Sequence, residues 1–345
     1  MNIKIPKPKQ IIFFGGTAIL YKLCLETLNL NIKPMVITAK RLLEESFFEF
    51  ENKTLKELLL DKQIEFYECR DINSFSKLSQ IVNSHTIGIG LGETYTFTKT
   101  TIALFNNNLF DFMTINLPKY RGGAHFSWQI LRGSKIGAWN IQLINEEMIP
   151  AVYDSGAIIK THQYIIPQSA RIPKDYFEIS DIECLKLFHE FINDIKNGID
   201  FKLSFLQENF SSYFPRLFTP IHGAINWQQS MDEIERFINA FDEPYIGAWS
   251  YVNNQKVHLK SVLKDVSEGS FHPFMSGLIY KIDKNSLYVC VKDGTLIVNK
   301  VVNSNQEDIK KFLKVGERFF TPISDIEKAL NFSCEYNDIG VLITI

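Results

Sequence analysis

The chain has 345 residues, of which 45% are hydrophobic and 22% charged, an ordinary globular composition that excludes global disorder. At roughly 150 residues per domain, this length predicts two or three domains. The formal net charge of −2 leaves no overall basic excess with which to neutralise a nucleic-acid backbone.

In the first 200 residues, buried-type strands alternate with segments of helical periodicity. This alternation predicts an α/β domain, Rossmann-like in architecture, with a parallel-rich sheet and helices on both faces. The predicted strands are 10–16, 33–38, 63–68, 86–91, 109–115, 137–144 and 157–166. The predicted helices are 17–29, 53–61, 73–82, 97–106, 126–133 and 178–197.

The glycine pair that ends the first strand is weak evidence for a dinucleotide site. The segment GGTAIL lacks the third glycine of the GxGxxG fingerprint. Lys40 and Arg41 follow the next strand, where that fingerprint requires an acidic residue. A plain strand–helix turn is therefore the favoured interpretation.

The second part of the chain changes in character. Residues 208–230 show little periodicity and are predicted to be a linker, and residues 231–241 form an amphipathic helix with Ser230 as its N-cap. Five short strands from about residue 246 predict a small, OB-like β-barrel. We therefore expect an N-terminal domain at 1–205, a linker with a short helix at 206–245 and a C-terminal domain at 246–345.

The distribution of cysteines and apolar segments bears on localisation. The five cysteines form no CxxC motif, and their odd number speaks against a disulfide scaffold. The apolar run near the start is too short for a signal peptide, and no stretch approaches the length of a membrane helix. We expect a cytoplasmic protein with no membrane partner.

A polar loop at 116–125 and an aspartate thirty residues later are the strongest chemical candidates. The loop follows a predicted parallel strand, and open α/β sheets bind ligands at that end of their strands. Lys119, Arg121 and Gly122 suit an anionic substrate, and Asp154 suits a general base. From spacing alone, a basic surface loop and a turn-capping aspartate are the simpler interpretations.

Motifs in these segments resemble a known family. They are LPKYRGGAHFSWQILRG at 117–133 and YDSGAII at 153–159, with IIFFGGTAIL at 11–20, GLGETYTFTKTTIALF at 90–105 and the stretch 212–259 in support. Together they resemble the folate-dependent formyltransferases, which act on methionyl-tRNA, glycinamide ribonucleotide or nucleotide-linked amino sugars. The matches occur in the family's order over nearly the whole chain.

The resemblance implies a reaction and a set of residues. The family transfers a formyl group from N10-formyltetrahydrofolate, its co-substrate, to an amine, and it uses no metal. Asp154 matches the family's catalytic aspartate. The four residues expected along the folate pocket are Gly92, Glu93, Thr94 and Tyr95.

The chain departs from the family where an Asn-x-His pair stabilises the oxyanion. An ungapped alignment places Asp111 and Met113 at these two positions. Asp111 would repel a developing oxyanion unless it is held protonated, and Met113 has no proton to donate. A gapped alignment assigns the asparagine role to Asn116. His125, across the loop, is either a replacement acid–base group or a structural histidine.

Three functions remain open at this point. The first is formyl transfer to a small anionic substrate, which we expect to be a nucleotide sugar; the second is methionyl-tRNA formylation. The third is a catalytically impaired or repurposed member that binds a ligand. Residues 201–345 contain 15 Lys+Arg and 17 Asp+Glu, so we expect no nucleic-acid partner. Whether the chain forms an oligomer stays open.

Overall fold

A computed structural model describes residues 1–92, 95–145, 154–336 and 342–343. Its N-terminal half is built on a seven-stranded mixed sheet with the strand order β7-β6-β5-β4-β1-β2-β3. The strands are β1 (Gln10–Gly15), β2 (Lys33–Thr38), β3 (Glu65–Glu68), β4 (Thr86–Leu91), β5 (Leu109–Met113), β6 (Ile136–Leu143) and β7 (Ile158–Ile165). β3, β2, β1, β4 and β5 are parallel, whereas β6 is antiparallel to both of its neighbours.

The longer helices of the described residues lie in both halves of the chain. They are α1 (Ala18–Asn29), α2 (Leu55–Asp61), α3 (Lys99–Leu104), α4 (His125–Leu131), α5 (Pro173–Lys196), α6 (Met231–Ala240) and α7 (Ile323–Asn331). Single-turn helices lie at Lys40–Leu43, Leu78–Ile81 and Thr219–His222, and 3-10 turns at Phe48–Phe50, Ile72–Ser74, Glu208–Phe210, Pro273–Met275 and Lys310–Phe312.

Alternating side chains on the strands divide the core into two layers, because successive residues of a strand point to opposite faces. On β5, Phe110 and Phe112 pack against Phe188 and Phe191 of α5. Leu109 joins the apolar cluster on the other face of the sheet. Asp111, the residue between Phe110 and Phe112, therefore lies on the face opposite α5.

The C-terminal half contains a separate five-stranded antiparallel sheet with the order β8-β9-β12-β11-β10. Its strands are β8 (Ala248–Val252), β9 (Gln255–Asp265), β10 (Ile279–Ile282), β11 (Leu287–Val291) and β12 (Gly294–Val302). Phe320 bridges to Tyr251 at one edge, and Arg318 bridges to Leu278 beside the other edge. The segment 318–320 thus forms hydrogen bonds along both edges of the sheet.

Helix α6 lies between the two halves and packs against α4 and β9. Ser230 caps its N-terminus, as predicted, by accepting a hydrogen bond from the backbone N–H of Glu233. Arg171 adds a direct link, because its guanidinium pairs with Glu235 at 2.6 Å and donates to the Val262 carbonyl. The two halves are therefore connected by packing and by polar contacts.

Short strand pairs complete the described part of the chain. They are Asn2–Ile3 with Phe201–Lys202, Ser46–Phe47 with Lys53–Thr54, Arg121–Gly122 with Tyr213–Phe214, and Glu335–Tyr336 with Leu342–Ile343. The predicted linker thus contains a strand that pairs with the polar loop. None of the helices in this part combines the length and apolar character needed to cross a bilayer.

Candidate active site at the carboxyl edge of the sheet

Asp111 lies near the carboxyl end of β5, on the face away from α5. It is the register partner of Gly90 on β4 and of Gln142 on β6. A Cβ atom on Gly90 would lie only 3.0 Å from the Asp111 Oδ1 atom. The missing side chain at Gly90 therefore leaves room for a half-buried carboxyl group against the backbone of β4.

Asp154 lies close enough to Asp111 for the two charges to interact. Burial raises the pKa of Asp111 to about 8, and the negative charge of Asp154 adds to this rise. Burial also raises the pKa of Asp154 to about 6, while the nearby Arg121 guanidinium acts in the opposite direction. At pH 7, Asp111 is therefore mainly protonated and Asp154 mainly ionised.

Arg121 is buried and joins three segments of the chain. Its guanidinium pairs with both carboxylate oxygens of Glu208, at 2.5 and 2.8 Å, and donates to the Ser211 hydroxyl at 2.8 Å. Its Nη2 also donates to the Asp154 carbonyl oxygen at 3.1 Å. The sequence suggested that Arg121 binds an anionic substrate, whereas these contacts favour a role in holding the loop.

Glycine is needed at position 122 because the backbone of Phe214 approaches it closely. The φ of Gly122 is +105°, and a Cβ there would lie 2.0 Å from the Phe214 carbonyl oxygen. The preceding residue and Gly122 form the parallel strand pair with Tyr213–Phe214. Lys119, in contrast, is exposed at the tip of the same loop. It stays a candidate for contact with an anionic substrate.

Two buried amides on β6 hold the loops that carry the candidate residues, and the sequence analysis missed both. Asn140, opposite Met113, donates to the Ile115 carbonyl and accepts from the Thr161 hydroxyl. Gln142, opposite Asp111, donates to the Gly156 carbonyl at 2.8 Å. The sequence feature that could have identified them is the occurrence of polar residues at alternate positions of an otherwise apolar strand.

His125 and Asn116 line a separate small pocket between the loop and α4. The lining residues are Thr114, Ile115, Asn116, Tyr120, His125, Trp128, Gln129, Arg132 and Phe214. Burial lowers the pKa of His125 to about 4, so its imidazole is neutral at pH 7. This lining includes neither Asp111 nor Asp154. Asp111 and Asp154 therefore interact with each other, whereas His125 and Asn116 share the lining of this pocket.

The expected folate-pocket residues follow β4, and Glu93 and Thr94 lie outside the described residues. Gly92 has a φ of +79°, and apart from its chain neighbours no atom of the described residues lies within 4 Å of a Cβ placed there. The hydroxyl of Tyr95 donates to the Cys69 carbonyl at 2.7 Å. Its ring packs near Phe14 and Phe97, with centroids 6.2 and 6.4 Å away.

Comparison with known proteins shows that the chain is similar to formyltransferases. Residues 218–315 match the family of formyl transferase C-terminal domains. The methionyl-tRNA formyltransferase of Acetivibrio thermocellus is 26% identical over 212 residues, covering 58% of this chain and 63% of that protein. The chain thus matches less than two thirds of that relative's length. The resemblance stated from the sequence is confirmed.

Two solved structures have the same fold. The sugar 3N-formyl transferase WlaRD, in the presence of dTDP and 5-N-formyl-THF, has a TM-score of 0.59, with 21% identity and coverage of 84% of this chain and 97% of that one. An N-formyltransferase from Helicobacter canadensis, with folinic acid and dTDP-3-aminofucose, has a TM-score of 0.60, with 18% identity and coverage of 85% and 98%. The α/β fold with a second sheet domain is confirmed.

Proposed function

We propose that this chain transfers a formyl group from N10-formyltetrahydrofolate to the amine of a small anionic substrate, a nucleotide-linked amino sugar. The observation that carries the proposal is the carboxyl pair at the edge of the sheet, in which Asp111 is mainly neutral and Asp154 mainly ionised at pH 7. Two groups with separated pKa values can divide acid and base roles between them.

Asp154 would serve as the base. The attacking amine must lose a proton as its nitrogen bonds to the formyl carbon, and a carboxylate within reach can accept that proton. When the bond between the formyl carbon and N10 breaks, N10 takes up a proton. The left-handed backbone of Asp154, with φ +57°, and the hydrogen bond from Arg121 to its carbonyl support a defined position for this side chain.

Asp111 would serve as a hydrogen-bond donor at the position where the family has asparagine. A protonated carboxyl carries an O–H, which can donate to the oxygen of the formyl group as negative charge develops there. Burial against Gly90 supports this neutral form. The replacement of asparagine by aspartate is therefore compatible with catalysis. Met113 supplies no proton, so we expect the histidine's contribution to be missing.

The residues after β4 are suited to bind a folate. Apart from its chain neighbours, no described residue lies within 4 Å of a Cβ placed on Gly92, and Tyr95 belongs to an aromatic cluster with Phe14 and Phe97. A flat pterin ring packs well against such side chains. We also infer an OB-like barrel for the C-terminal domain, because one segment bridges both edges of its sheet. We also propose that the domain boundaries lie at residues 205 and 245.

Methionyl-tRNA is the second candidate substrate. The relative from Acetivibrio thermocellus favours it, because that protein is a methionyl-tRNA formyltransferase and 26% identical over the matched residues. The charge of −2 over residues 201–345 favours the small substrate, since a tRNA-binding surface requires basic residues. The structural similarity to two sugar-formylating enzymes supports the small substrate as well.

A direct assay separates these possibilities. The purified protein would be incubated with N10-formyltetrahydrofolate and either dTDP-linked amino sugars or charged initiator methionyl-tRNA, and product would be detected by mass spectrometry. We expect formylated sugar nucleotide, and about 10²–10⁴-fold less of it with Asp154→Asn. Asp61→Asn, a change of an exposed aspartate in α2, is the matched control and should leave the rate unchanged. Formylation of the tRNA alone would overturn the substrate assignment.

A further inference from the structure

Glu208 lies in the segment between the two domains, yet its carboxylate contacts the interior of the candidate active site. It forms a two-pronged ion pair with Arg121, which is 4% exposed. The same guanidinium donates to the backbone carbonyl of Asp154. A single buried cation thus connects the segment between the domains to the residue proposed as the base.

The geometry makes Glu208 the main counter-charge of Arg121. Planar two-pronged pairing between a guanidinium and a carboxylate is the strong form of this contact. The burial of Arg121 weakens screening by water on its side of the pair, while the Glu208 side chain is 36% exposed. The Ser211 hydroxyl adds a third acceptor from the same segment. Among the described residues, the buried Nε atom of Arg121 has no hydrogen-bond partner, so the terminal nitrogens make the hydrogen bonds of this guanidinium.

We propose that Glu208 is a positioning residue that acts through Arg121 to set the orientation and the charge state of Asp154. This inference rests on the proposed function, since it assigns Asp154 the role of base. It also gives the segment between the domains a part in catalysis. Displacement of this segment would move Arg121 and, with it, the turn that carries Asp154.

The charged groups facing Asp154 determine the direction of the effect. In the described part of the chain they are Asp111 from β5 and Arg121 from the loop, with Glu208 behind Arg121. Arg121 favours ionised Asp154, and Glu208 partly cancels that cation. Removing the charge of Glu208 should therefore lower the pKa of Asp154.

The test compares Glu208→Gln with Glu235→Gln. Both variants remove the carboxylate of an Arg–Glu pair that joins separate segments, but Glu235 pairs with Arg171 between α6 and the N-terminal domain. The ionisation of Asp154 would be followed by 13C NMR of labelled aspartate carboxyls, assigned with Asp154→Asn. The pH dependence of kcat/KM would be measured in parallel.

We expect Glu208→Gln to move the Asp154 titration and the acidic limb of kcat/KM to lower pH by about half a unit or more. Glu235→Gln should leave both unchanged. A lower kcat without a shift in titration, or an equal shift in both variants, would overturn the inference. Because NMR needs no turnover, a shifted titration in a protein without formyl transfer would refute the proposed function alone.

Discussion

The side chain of Asp111 fills space that Gly90 leaves empty across the β4–β5 pair, where a Cβ would lie 3.0 Å from the carboxylate oxygen. The carboxyl is therefore held against backbone, with limited access to water. Desolvation penalises its charged form, and its pKa rises to about 8. We therefore propose that Asp111, which as a carboxylate would repel an oxyanion, acts as a neutral hydrogen-bond donor.

The first prediction is a bell-shaped pH dependence of kcat/KM. Activity should rise with pH near 6 as Asp154 loses its proton, and fall near 8 as Asp111 does so. The measurement is a kinetic profile from pH 5 to 9 with a substrate amine whose own pKa has been determined. Activity that increases steadily to pH 9 would contradict the neutral role of Asp111.

The second prediction concerns Asp111→Asn, which replaces the neutral carboxyl by an amide of similar shape. The amide donates a hydrogen bond at every pH, so the basic limb near 8 should disappear while activity at pH 7 is retained. Asp111→Ala, which has no donor, is the matched variant and should lose activity throughout. If the basic limb persists in Asp111→Asn, another group causes it.

Asp111→Asn should also change how stability depends on pH. The folded-state pKa of about 8 lies above the usual aspartate value of about 4, so the contribution of Asp111 to wild-type stability is full at low pH and is lost as pH rises through this interval. The variant lacks this loss. Its melting temperature relative to wild type should therefore increase between pH 5 and pH 9, as measured by calorimetry.

The third prediction concerns Gln142→Leu. The change leaves the Gly156 carbonyl without its donor, which should cost about 1–3 kcal/mol of stability and loosen the turn that carries Asp154. We expect kcat to fall about tenfold, the cost of roughly 1.4 kcal/mol in transition-state stabilisation, with a small change in KM for the folate.

A matched control separates lost positioning from lost stability. Thr27→Val removes another buried hydrogen bond from a side chain to a carbonyl, that of Leu23 in α1, far from the carboxyl pair. It should lower the melting temperature and leave kcat unchanged. An equal loss of kcat in Thr27→Val and Gln142→Leu would show that Gln142 has no specific positioning role.

The fourth prediction concerns Gly122→Ala. A side chain at φ +105° is strained, and its Cβ would overlap the Phe214 carbonyl at 2.0 Å. Gly198→Ala is the control, since Gly198 also has positive φ, +73°, but open space around it. Denaturant unfolding should show a loss of about 1 kcal/mol for Gly198→Ala and a clearly larger loss for Gly122→Ala. Equal losses would refute the role of backbone approach at Gly122.

Local pattern predicted most elements to within a few residues, and the exceptions have physical causes. The helix predicted at 178–197 begins at Pro173, because proline is favoured in the first turn and Asp175 accepts the Ile172 N–H. The helix predicted at 73–82 is a 3-10 turn followed by the short helix Leu78–Ile81. The segment around 213, predicted to be a linker, forms a strand because it pairs with the loop rather than because of its own pattern.

By itself, the sequence determined the alternation of strands and helices, the change to a β-rich C-terminal half and the two segments that carry Asp111 and Asp154. These features follow from local periodicity and spacing. Only the tertiary structure decided that Arg121 pairs with Glu208, 87 residues away, and that β6 supplies Gln142 to the Asp154 turn. It also decided the protonation of Asp111. A pKa depends on desolvation and on charges brought close by folding, and neither is encoded in the neighbours along the chain.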